Sequence, residues 1–218
     1  MKNKAPNEGK KIHTVIFDLD GTLSNSGILT IAAFKHAAPL LGLPIPSEEA
    51  IQRATGYANP EFYYILYPDY PRDTVDNIAK LVEDKELREL NSLSDKLLFE
   101  GCRELLLRLK EEKIRLNIAS TGDEEHVFSI LEATGIIDYF EKISCGRPDK
   151  TEMLRELTEE GDRSGYIMVG DMRKDYEAAR ANGILSVGAC YGYCKRELAD
   201  FDLYIDRPLD LLKIIKGE

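Results

Sequence analysis

The sequence predicts an α/β fold, a Rossmann-like parallel sheet sandwiched by helices and interrupted by an inserted helical cap domain. Three observations predict it. Short apolar runs alternate with amphipathic helical stretches through the second half of the chain. The runs are apolar throughout, with no strict in-out alternation, as strands buried on both faces require. About 90 residues separate the first run from the second, where a βα unit takes roughly 30.

Each element follows in order. Residues 1–11, MKNKAPNEGKK, are polar and lack an apolar stretch, so they are expected to form a flexible tail and not a signal peptide. HTVIF (13–17) is the first strand and runs into DLDGT (18–22). A turn needs one Asp or Gly, so the second carboxylate is not explained by turn chemistry. Residues 28–95 read as almost wholly helical, with breaks at Pro44, Pro46, Pro60 and YPDYP. They are assigned to the cap, with Tyr63, Tyr64 and Tyr67 in its core, and residues 12–27 and 96–218 to the catalytic core. IRLNIA (114–119), EKISC (141–145), YIMVG (166–170), ILSVGA (184–189) and the weaker LYI (203–205) are the later strands. The helical stretches between them include CRELLLRLKEEK, DEEHVFSILEATG, KTEMLRELTEEG and KDYEAARANG, and Gly135, Gly161 and Gly183 stand where helix C-termini would use them.

Composition narrows the function. A formal net charge of −10 argues against nucleic acid or an anionic membrane as the main partner, while a local cation still permits a small anionic substrate. No run approaches the roughly 18 apolar residues of a membrane span. Cys102, Cys145, Cys190 and Cys194 are scattered without metal-binding spacing, which fits reduced thiols and a cytoplasmic location. His13, His36 and His126 show no ligand spacing and read as packing or surface residues.

In parallel sheets ligands bind beyond the carboxyl ends of the strands. Those ends carry Asp18 and Asp20, Ser120-Thr121, Lys150 just past the third strand, and Asp171 with Asp175 one helical turn on. Two carboxylates about 4 Å apart repel by roughly 4 kcal/mol at an effective dielectric of 20. Four together therefore call for a cation, and an all-oxygen set suits Mg²⁺. Lys150 and a strand-end hydroxyl would then hold phosphate oxygens.

DLDGT, IAST, Lys150 before a helix and VGDMRKD resemble, in order, the four motifs of the haloacid dehalogenase superfamily. VGDMRKDYEAARANGILSVGACYGY and GYIMVGD look most like its phosphoglycolate phosphatase-like members. The resemblance implies a Mg²⁺-dependent phosphatase acting on a small phosphorylated metabolite. It implies Asp18 as nucleophile and metal ligand, Asp20 as acid and base with its backbone carbonyl on the metal, and Asp171 as a further metal ligand. Ser120 or Thr121 would bind phosphate together with Lys150, and Asp175 would orient Lys150 or support the metal. Asn25 stands where many relatives have Asp, and Arg147 is an alternative to Lys150. In the cap, RATG resembles the specificity loop, which points to Arg53 and Gly56. A phosphomutase of the same superfamily is the alternative, and a phospho-accepting signalling module is the alternative from a different class. A monomer or weak homodimer is expected.

Overall fold

The computed structural model describes residues 11–193 and 200–217. Residues 1–10 of the expected tail, and Cys194, lie outside the described residues. Strand β1 (Thr14–Phe17) is buried along its whole length. Four helices follow: α1 (Gly27–Leu40), α2 (Glu48–Ala54), α3 (Glu61–Leu66) and α4 (Arg72–Glu89). The chain then continues as α5 (Cys102–Glu111), β2 (Arg115–Ala119), α6 (Glu124–Ala133), β3 (Lys142–Ser144) and α7 (Lys150–Leu157). It ends with β4 (Tyr166–Gly170), α8 (Arg173–Asn182), β5 (Leu185–Ala189), β6 (Leu203–Ile205) and α9 (Leu211–Lys216).

Among the described residues the strands form one sheet in the order β3-β2-β1-β4-β5-β6, and every pairing is parallel. Helices cover both faces, and two hydrophobic clusters divide accordingly. Phe17, Leu106 and Ile118 belong to one, and Ile16, Met153 and Met168 to the other. Adjacent β1 residues thus face opposite sides, as the period of two requires, and both sides are apolar. This is why the runs lack polar alternation.

The four-helix insertion has its own core of Phe34, Ile51, Phe62, Tyr63, Tyr67, Ile78 and Val82. Tyr64 is only partly buried; its hydroxyl bonds Asp76 on the surface. The segments that leave and rejoin the sheet run side by side, with Asn25 N–H bonded to Leu97 O at 2.7 Å and Phe99 N–H to Leu23 O at 3.0 Å. Helix α7 stops short of Gly161 because the Thr158 hydroxyl turns back on Leu154 O at 2.7 Å. Among the described residues, no helix is long and apolar enough to cross a membrane.

Candidate active site

Parallel register carries the C-terminal ends of β1, β2 and β4 to one edge of the sheet. Asp18 N–H still bonds Val169 O at 2.9 Å and Ser120 N–H bonds Ser144 O at 3.0 Å, so both residues are fixed by the sheet itself. Beyond them the chain turns. Leu23 and Ser24 N–H both bond Leu19 O, which winds DLDGT into a tight loop. Gly21 sits at φ +81°, and a Cβ there would lie 2.5 Å from an Asp171 carboxylate oxygen. The glycine is required twice, by backbone conformation and by the closeness of the second acid.

Lys150 opens α7 and is 5% exposed. Its Nζ lies 2.8 Å from Asp18 Oδ1 and 2.6 Å from Asp175 Oδ1. The other Asp175 oxygen accepts Met172 N–H at 3.0 Å, so Asp175 is held at both ends and in turn holds Lys150. Burial opposes the ammonium charge, but Asp175 and Asp18 keep its pKa above the ordinary lysine value. Burial pushes the Asp18 carboxyl well up, Lys150 pulls it down, and the neighbouring Asp175 and Asp171 push it up again.

Asp20 has different partners. The Ser26 hydroxyl donates to its Oδ1, and His126 Nε2 lies 3.0 and 3.1 Å from its two oxygens. His126 is therefore not the packing or surface residue the sequence suggests but a partner of Asp20. The Asp123 side chain caps α6 by accepting His126 N–H at 2.9 Å, which turns the imidazole toward the end of β1. Burial alone would raise the Asp20 carboxyl, yet the charge and hydrogen bond of His126 bring it below its ordinary value. Burial lowers the imidazole, and Asp20 and Glu86 more than reverse this, pushing it up to about 9. His13 instead contacts Thr14 and Tyr166, and His36 is exposed.

The remaining candidates separate. Ser120 is buried and its Oγ accepts Gly122 N–H at 3.1 Å. The Thr121 hydroxyl donates to Gly56 O at 3.1 Å. Gly56 thus meets the site edge through its backbone, and a Cβ there would come within 1.7 Å of Met172 Sδ. Arg53 does not join this group: it sits on the surface of α2 near Glu49. Arg147 binds Glu156 and Ser144 and is 39% exposed, so Lys150 is the cation at the carboxylates. Asn25 Oδ1 accepts from the Tyr193 hydroxyl at 3.2 Å, while Tyr193 N–H bonds Asp171 Oδ2 at 2.7 Å.

Asp18, Asp171 and Asp175 offer oxygens that all lie within 4.8 Å of one another, and all three residues are buried. With Asp20 there are four carboxylates against two cations, Lys150 and His126. A hard divalent ion fits this oxygen-only set and its residual negative charge. Asp20 is not one of these three; its carboxylate is engaged by the Ser26 hydroxyl and His126.

Beside Asp20 the insertion and the core enclose a cavity of about 390 Å³. One wall is the C-terminal half of α4, another the first turns of α6, and Tyr57, Phe62 and Tyr63 complete it. Asn59 Nδ2 bridges the two sides, donating to Glu83 at 3.1 Å and to Asp123 at 3.2 Å.

Comparison with known proteins matches residues 15–189 to the family model described as haloacid dehalogenase-like hydrolase. The tyrosine-protein kinase PtkA of Mycobacterium tuberculosis is 29% identical over 90% of this chain and 68% of its own length. The phosphoglycolate phosphatase of Synechococcus elongatus is 27% identical, covering 94% of this chain and 97% of that protein. Among solved structures, a predicted phosphoglycolate phosphatase from Haemophilus somnus superposes with a TM-score of 0.82 at 22% identity, over 94% of this chain and 99% of that one.

Proposed function

The chain belongs to the haloacid dehalogenase-like hydrolase family, and from that premise we propose that it is a Mg²⁺-dependent phosphatase that hydrolyses a small phosphomonoester through an aspartyl-phosphate on Asp18. One observation carries the reading: two carboxylates, two residues apart, have separate partners, Asp18 on Lys150 and Asp20 on His126. Different surroundings for neighbouring acids are how one site assigns two roles.

Lys150 and Leu19 N–H both contact Asp18 Oδ1, which leaves Oδ2 to attack phosphorus. Asp20 relays a proton from the His126 imidazolium to the departing oxygen, then takes a proton from the water that cleaves the acyl phosphate, restoring Asp18 and His126. Ser26 and His126 fix the rotamer of Asp20. Ser120 is the phosphate-binding hydroxyl, because the Thr121 proton is committed to Gly56 O. Lys150 neutralises phosphate charge and Asp175 orients Lys150. Asp18, the Asp20 carbonyl and Asp171 would hold Mg²⁺, which would supply charge neutralisation for the incoming phosphate.

Residues 28–95 are read as a cap. The bonds from Thr121 and Lys174 to Gly56 O, and from Asn59 to Asp123, support this because they join insertion to core. Shielding from bulk water and a small cavity restrict the enzyme to small substrates.

Replacing Asp20 by Asn tests the mechanism. Alkyl phosphates, whose leaving oxygen needs a proton, should lose roughly 10²–10⁴-fold in rate. Nitrophenyl phosphate needs no acid in the first step, so nitrophenol should appear in a burst near one equivalent, followed by slow turnover while phosphate remains on Asp18. Equal losses on both substrates without a burst would remove the proton-shuttle role. The metal is tested separately. Excess chelator should abolish turnover, Mg²⁺ should restore it, and the larger Ca²⁺ should support little. Undiminished turnover under chelation would overturn the metal assignment.

A further inference from the structure

The cavity beside Asp20 has an unusual charge. Besides Asp20, its described lining includes Glu83, Asp84, Glu86, Asp123 and Glu125, with His126 as the sole cationic side chain and no lysine or arginine. Asp20 is also the acid assigned to the leaving oxygen, so the cavity next to it is where the leaving group must lie. Asp18, Lys150 and Ser120, assigned to the phosphoryl group, are not part of this lining.

Local helix chemistry explains only some of these acids. Asp123 caps α6 and Glu125 lies in its first turn, where negative charge suits the helix dipole. Glu86 lies in the last turn of α4, where the dipole disfavours it, and its described hydrogen bond is with the neutral Thr30 hydroxyl. Burial raises the Glu86 carboxyl despite His126, and burial with Asp123 raises that of Glu83. Where two acids face each other across the cavity, the chain places the neutral amide of Asn59 between them. Phe62 and Tyr63 add aromatic surface, while one face of the Tyr57 ring carries the Lys174 ammonium at 3.9 Å, from outside the lining. Carboxylates with aromatic rings and little fixed positive charge are the composition that receives an ammonium group.

Resting on the phosphatase reading, we propose that the leaving group is cationic and that the substrates are phosphorylated amino alcohols carrying an ammonium or quaternary ammonium group. Asp18 Oδ2 forms a bond to phosphorus as the ester P–O bond breaks, and a proton from the His126 imidazolium passes through Asp20 to the departing oxygen. Water then cleaves the acyl phosphate, giving inorganic phosphate and the amino alcohol. The same wall repels a leaving group that bears a carboxylate or a second phosphate, so anionic esters such as phosphoglycolate are poor substrates.

The test compares kcat/KM, with saturating Mg²⁺, for phosphocholine, phosphoethanolamine, the uncharged dimethylbutyl ester that is the carbon isostere of phosphocholine, and phosphoglycolate. The cationic esters should exceed the uncharged isostere by roughly tenfold or more, with phosphoglycolate lowest. In a Glu83→Gln, Glu86→Gln double variant the ratio of phosphocholine to its isostere should fall toward one. That ratio is read on a single preparation, so partial unfolding lowers both rates alike and leaves it unchanged. Phosphoglycolate matching phosphocholine, or a ratio unmoved by the double variant, would overturn the inference while nitrophenyl phosphate turnover keeps the phosphatase reading. A wild-type protein that hydrolyses none of these esters, nitrophenyl phosphate included, would overturn both.

Discussion

Asp18→Asn should abolish turnover on every phosphomonoester, with a loss on the order of 10⁴–10⁶-fold. An amide is a poor nucleophile, and no neighbour can replace it: Asp175 is engaged by Lys150 and Met172 N–H, and Asp20 faces Ser26 and His126. The fold should survive. Asn keeps an oxygen to accept Leu19 N–H, Lys150 keeps Asp175 as its partner, and the change removes a carboxylate that burial, Asp175 and Asp171 disfavour more than Lys150 favours it. Metal-free Asp18→Asn protein should therefore melt no lower than the wild type. Its response to Mg²⁺ should shrink. A ligand at a hundredfold its Kd stabilises by about 2.7 kcal/mol, or roughly 5–10 °C for a chain of this size. The wild type should show a shift of that order and the variant distinctly less. Steady-state kinetics and thermal melts with and without Mg²⁺ read both effects. Residual activity above roughly a hundredth of wild type would place the nucleophile elsewhere.

Lys150→Met should give the largest loss of stability. The side chains are similar in length, so packing is nearly conserved while the charge disappears. What remains is Asp175, fully buried, and Asp18, 5% exposed, both deprived of their shared cation. Removing one partner of a buried ion pair costs about 3–5 kcal/mol, which in a chain of this size lowers the melting temperature by roughly 10 °C. The deficit should narrow as pH falls, because protonation discharges the stranded carboxylates, and in part when Mg²⁺ is added. Denaturant titrations at neutral and mildly acidic pH measure this directly. A pH-independent deficit would mean that lost packing, and not lost charge, is the cause. Activity should also collapse, since the phosphate loses its nearest cation.

The sheet was legible because each strand is buried on both faces and so leaves an uninterrupted apolar run. Asp18, Ser120 and Asp171 were legible because strand ends converge wherever strands are parallel, whatever fills the space between. His126 left no such trace. Its partner, Asp20, lies 106 positions away, and the ring reaches it only through the angle at which Asp123 starts α6. Glu83 and Glu86 carry no motif, and only the folded insertion brings them opposite Asp123 and His126 of the α6 end. Gly56 acts through a carbonyl, which carries no side-chain signature, and Arg53, a neighbour with a more suggestive side chain, is held on the surface near Glu49. The bond from the Thr121 hydroxyl to Gly56 O, on which the proposal of Ser120 as the phosphate-binding hydroxyl rests, joins positions 65 apart and left no mark in the sequence.

The position of β1 at the centre of the sheet bears on how the protein is born. This strand pairs on one side with β2 and on the other with β4, where Val15 meets Ile167. A nascent chain must therefore carry β1 with one edge open until β4 has left the ribosome, and such late long-range pairing is slow and exposed to aggregation. The helical insertion, with a separate core, can condense in the meantime. The reaction centre cannot, because Asp171 and Asp175, which holds Lys150, both follow β4 in the chain. A truncated translation product would be a folded appendage on an unformed enzyme, so catalytic competence arrives in one late step and not by degrees.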